Sequence, residues 1–170
     1  MKTGKMITIT SGIIAVLLWF VLFGLGIFIS SKPYREALVQ NLDWSSFFIS
    51  LLTYTPTNIA FLSLAAAFCG GCSSNLSIAV KIKMNEPLDN SATSQIITSQ
   101  NPFNCMLRGF VVYIAFLAGM YIIVNAPFAA PTQEEYARAA GVVSLLAYVT
   151  GYDQSNFLNL INLSSRLRRE

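Results

Sequence analysis

Three thiols are the side chains with the most chemical potential in this sequence. Cys69-Gly70-Gly71-Cys72 sets two of them three residues apart, and Cys105 is the third. Thiolates at that spacing can ligate a metal or work as a redox pair. The rest of the composition gives such a site little help. Histidine is absent, which removes the usual general base and the commonest metal ligand. Cysteine is also an ordinary small buried hydrophobe, and three cysteines do not make a disulfide framework. Cys69, Cys72 and Cys105 are therefore the candidate ligands of a centre that is not expected to form, and no metal or cofactor is anticipated. The sequence has no H-E-x-x-H, no G-x-S-x-G and no pair of aspartates placed for intramembrane proteolysis. It does not read as an enzyme.

A second group of polar residues lies in an apolar surrounding: Thr53-Tyr54-Thr55-Pro56-Thr57-Asn58. Pro56 has no backbone N–H to give to Leu52, so a helix running through this segment is expected to kink there. Freed carbonyls beside Thr and Asn side chains at bilayer depth can coordinate ions. Equally, Thr53, Thr55, Thr57 and Asn58 can satisfy the loosened backbone and bond to a neighbouring helix. These residues and Pro56 are thus pore or packing candidates.

The elements that position both groups follow from composition. The chain has 170 residues, of which 54% are hydrophobic and 11% charged. A soluble domain carries about 25% charged residues, so lipid must be the solvent for much of this surface. The uncharged run from Met6 to Ser31 reaches about 39 Å as a helix, longer than the roughly 30 Å hydrocarbon core and too long for a cleaved signal peptide. It predicts a first span over about 7–29. Residues 31–45, with Pro33, Tyr34 and Trp44, suit a short amphipathic helix on the membrane surface. A second span is expected over 47–71, with Pro56 near its centre, and a third over 109–126, entered from Arg108. Between them, 73–107 reads as a polar cytosolic loop. Alternation of apolar and other residues from Leu76 to Met84 suggests a strand there. Thr132 and Glu135 form a capping-box pattern that starts a fourth helix over 134–152. Only Ala139–Tyr152 is uncharged, about 21 Å, so Arg138 must snorkel for that helix to span. Residues 155–170 form an amphipathic cytosolic tail, with Arg166, Arg168 and Arg169 drawn to the membrane surface.

Charge bias orients the spans. With four spans and the N-terminus inside, Lys2, Lys5, Lys81, Lys83, Arg108, Arg166, Arg168 and Arg169 are cytosolic, against Lys32, Arg35 and Arg138 outside. Three spans would move the tail arginines out and erase the bias. The expected fold is an all-α integral membrane protein with four transmembrane helices, both termini cytosolic, and short amphipathic surface helices. The sequons at Asn75 and Asn162 then face the cytosol and stay unused.

Small residues recur every four positions at Ser63, Ala67 and Gly71, at Ala115 and Gly119, at Ala137 and Gly141, and at Ala140 and Ser144. They allow close helix approach within one bundle or between copies. No basic stripe with interleaved aromatics supports nucleic-acid binding. The expected partners are the lipid bilayer and either further copies of the chain or a larger membrane complex. Two functions fit: a homo-oligomeric channel or pore-like protein whose second span lines the path, or a non-catalytic accessory or assembly subunit docking partners through the cytosolic loop and tail. A thiol redox or metal protein is the third.

Overall fold

A computed structural model describes residues 2–29, 52, 54–83, 101–123, 132–153 and 157–158. The four long helices in it are α1 (Lys2–Ile29), α2 (Thr55–Lys83), α3 (Pro102–Ile123) and α4 (Gln133–Tyr152). Three of them hold segments long and apolar enough to cross a membrane: Met6–Ile27, Thr55–Ile78 and Pro102–Ile123. α4, with Glu134, Glu135 and Arg138 in its first two turns, is not among them. The surface helix expected over 31–45 and the arginines of the tail lie outside the described residues.

The starts of α3 and α4 have local causes. Asn101 caps α3, its side-chain oxygen accepting from the Phe103 N–H at 3.2 Å. Pro102 follows at the first helical position, where a missing N–H costs nothing. α4 opens with the capping box read from the sequence: the Glu135 N–H donates to Thr132 Oγ1 at 3.2 Å, and the Thr132 N–H donates to Glu135 Oε2 at 2.9 Å. Its exposed first turns carry the Arg138–Glu134 ion pair. A bend at Tyr54 precedes α2.

Several boundaries differ from the sequence reading. The second long helix begins at Thr55, where a span over 47–71 was expected, so Pro56 stands in its first turn. α2 follows a bend at Tyr54, its first bond running from the Asn58 N–H to the Tyr54 carbonyl at 2.9 Å, and residues 47–51 of the expected span lie outside the described residues. The same helix continues to Lys83, so Leu76–Lys83 is helical and the strand expected there is not formed. α3 starts at Pro102, seven residues before the anticipated Gly109. The stretch expected as a 73–107 loop thus has helix at both ends, leaving 84–101 between α2 and α3.

Contacts between helices fix their directions. Gly12 lies against Cys72, and Leu22 meets Asn58, so α1 and α2 are antiparallel. Gly109 lies against Ser63 and Ala67, and Gly71 against Cys105, so α2 and α3 are antiparallel as well. Tyr136 reaches Asn58 while Gly151 reaches Ala67, which makes α4 parallel to α2. The result is an up-down-up-down bundle. One end gathers the start of α1, the end of α2, the start of α3 and the end of α4.

α2 is the centre of the bundle. In its most apolar window 61% of the residues are buried, against 11% for α1 and 17% for α3. The core joins Leu22, Ile59, Leu62, Tyr113, Tyr136, Ala140 and Val143, and a second patch joins Ala66, Ala67 and Ala147. Trp19 packs against both and stacks on Phe23, ring centroids 4.9 Å apart. Outward, α1 shows Ile7, Ile13, Ile14, Leu17, Phe20 and Val21. A surface of that kind belongs in hydrocarbon, where helices persist because each satisfies its own backbone.

Candidate functional site

The polar residues of 53–58 do not share one face. Thr55 and Asn58 are buried, while Thr57 is half-buried and donates to the Tyr54 carbonyl at 2.9 Å. Thr53 lies outside the described residues. Asn58 is the focus. It is 0% exposed, and its amide is used on both sides. Nδ2 donates to the Leu22 carbonyl of α1 at 3.0 Å and to the Leu52 carbonyl at 2.9 Å. Oδ1 accepts from the Tyr136 hydroxyl of α4 at 2.5 Å. One side chain thus ties α1, α2 and α4 together. Both N–H donors and one acceptor position are satisfied without water.

Gly26 makes this junction possible. A Cβ there would fall onto the hydroxyl and ring of Tyr136. Only glycine lets the phenol lie against α1 and reach Asn58. Tyr136 is 1% exposed and points into the bundle. Two turns along α4, Trp19 Nε1 donates to Ser144 Oγ at 3.0 Å, a second polar tie between α1 and α4.

Toward the other end the helices come together on glycine. A Cβ on Gly70 would strike the Tyr148 carbonyl, and one on Gly151 would strike the Ala67 carbonyl. A Cβ on Gly109 would sit 2.6 Å from the Ala67 Cβ and 2.7 Å from the Ser63 carbonyl oxygen. The Ser63–Ala67–Gly71 repeat is therefore spent on packing inside the chain. So are Ala140 and Ser144, both buried. Gly119 and Gly141 have open space before them.

The three thiols lie toward this glycine-packed end, unbridged and buried, but they do not converge on one point. Cys105 donates to the Gly151 carbonyl at 3.4 Å and lies against Gly71. Cys72 faces α1, its sulfur 3.9 Å from Ser11 Oγ. Cys69 and Cys72 line a groove between α1 and α2. Among the described residues no group of three Cys, Asp or Glu side chains could hold a metal ion. α3 also carries Arg108 on its buried face, one turn beyond Cys105. This charge lies within the third span, where the sequence reading had put it at the entrance.

Sequence reasoning identified Asn58 but missed its partners. Leu22 acts through its carbonyl and Gly26 through lack of a side chain, and neither leaves a mark in residue type. Tyr136 and Trp19 did carry a signal: a polar tip on an apolar body, placed in a span, needs a partner. No family model, curated protein or solved structure matches the chain, so the functional argument rests on its own residues.

Proposed function

We propose that this protein is a four-span, non-catalytic accessory or assembly subunit of a membrane complex, with both termini cytosolic. Its cytosolic segments, 84–101 and the tail, dock the partners. The observation that carries this reading is the fully buried amide of Asn58, bonded to both α1 and α4 near the start of α2. A channel lined by the second span needs that face turned to water. Here Asn58 is enclosed by α1 and α4, and its amide is occupied in holding helices together.

The fourth crossing is supported by length and direction. α4 has 20 residues, about 30 Å, which matches the hydrocarbon thickness. It lies parallel to α2, and its charged first turn stands at the opposite end from Lys2, Lys5, Lys81 and Lys83. Alternating helix directions put those lysines on one side, and the positive-inside bias makes that side cytosolic.

Ion flux through reconstituted vesicles, measured beside thermal stability, tests the assignment. The wild type is expected to conduct nothing above protein-free vesicles at any protein density, and Asn58→Leu to lower the melting temperature without creating a transport phenotype. Flux in the wild type that Asn58→Leu alters while the melting temperature stays put would restore the channel.

A further inference from the structure

We infer that Cys69 and Cys72 form a two-coordinate thiolate site for a soft monovalent cation, Cu(I), in the groove between α1 and α2. Both thiols line that groove, which has a volume of about 310 Å³ and opens outward. They stand three residues apart on α2, where helical side chains share a face with Cβ atoms about 5–6 Å apart. The two glycines between them are turned the other way. Gly70 lies against the Tyr148 carbonyl of α4, and Gly71 against Cys105 of α3. Packing on that side leaves the two cysteines facing α1, where a Cβ on Gly12 would sit 3.4 Å from that of Cys72. Cys105 is placed differently. It is 0% exposed, its thiol donates to the Gly151 carbonyl at 3.4 Å, and it does not line the groove.

Ligand number and type select the ion. Among the described residues no third Cys, Asp or Glu joins the pair, and the sequence has no histidine. Structural zinc and iron–sulfur clusters take about four ligands. Calcium and magnesium take about six oxygens, whereas the side-chain oxygens of this lining are the hydroxyls of Thr8 and Ser73. Soft thiolates favour Cu(I), whose closed d shell accepts two of them in line. Two thiolate–metal bonds of about 2.3 Å each fit between Cβ atoms at that helical spacing. Binding replaces each S–H bond by a sulfur–copper bond and releases both protons, and copper stays Cu(I) throughout. The cation cancels one of the two thiolate charges. Ser11 Oγ lies 3.9 Å from the Cys72 sulfur and donates to the Thr8 carbonyl at 3.0 Å. Turned to the sulfur, the same hydroxyl supports the thiolate. Ile9, Ile13, Val16 and Leu17 of the opposite wall offer the metal no competing ligand.

Anaerobic titration of the purified chain in mild detergent, with Cu(I) supplied on a coloured chelator, tests this. The wild type is expected to withdraw one Cu(I) per chain and to leave Zn(II) in solution. Cys69→Ser and Cys72→Ser, each close in shape to the thiol it replaces, should each lose the copper. Cys105→Ser should withdraw one Cu(I) as the wild type does. X-ray absorption at the copper edge of the loaded wild type needs no variant, and it should count two sulfur neighbours with no nitrogen or oxygen. A wild type that withdraws no copper would overturn the proposal. So would stoichiometric zinc, copper kept by a folded Cys69→Ser or Cys72→Ser, copper lost by a folded Cys105→Ser, or a third neighbour in the absorption spectrum.

Discussion

Asn58 and Tyr136 show how a membrane helix bundle uses a polar group where no water can compete. Interhelical hydrogen bonds in membranes contribute about 0.6 kcal/mol on average and up to roughly 1.7. Asn58→Leu removes three and leaves the Tyr136 hydroxyl enclosed, so a loss of roughly 2 kcal/mol is expected, read as a lower melting temperature in mild detergent. Tyr136→Phe removes one bond and should cost about 1 kcal/mol. The double variant should cost less than the two losses added, because the same bond is removed in both. Gly26→Ala should be worse than Tyr136→Phe, since its Cβ meets ring carbons as well as the hydroxyl, and Tyr136→Phe should relieve it only in part. Asn58 could be singled out from the sequence because an amide within an apolar span demands an explanation. Its partners could not, because a backbone carbonyl and a missing Cβ are properties of packing.

Individual helices were legible where their ends are written in side chains and misread where composition spoke louder than continuity. The Thr132–Glu135 capping box marks the start of α4, which lies at Gln133 where 134 was expected. Thr132→Ala is expected to cost about 1 kcal/mol, visible in thermal unfolding and absent from Gln133→Ala. The Asn101-Pro102 start of α3 was equally readable, but the polar stretch before it drew the boundary inward to Gly109. Leu76–Lys83 alternates with a period of two and still continues α2. A helix that continues keeps its own backbone bonds made, whereas a strand would need a partner. Pro56 stands in the first turn of α2, where its missing N–H costs little. Pro56→Ala should therefore shift the melting temperature by far less than Asn58→Leu, whereas a central kink would make the two comparable. Gly151→Leu should do the reverse and cost more than any cap, because it separates α4 from the Ala67 carbonyl.

For the whole molecule, the burial of α2, the alternating helix directions and the lysines gathered at one end together describe a bundle held by its own interior. Helical class and membrane solvent were readable from hydropathy alone, because they depend on totals. The choice between a lumen-lining and a packing second helix was not, since it depends on which way Asn58 points. The central claim is that four helices cross, with the loop and both tails on the cytosolic side. Single cysteines placed at Ser91, Glu134 and Glu170, probed in sealed cells with a membrane-impermeant maleimide against the wild-type background of buried thiols, test it most directly. Labelling from outside only at position 134, with 91 and 170 reacting after the membrane is opened, is the predicted result. External labelling at position 170 would mean that α4 does not cross, and external labelling at position 91 would invert the orientation. Either would contradict the account.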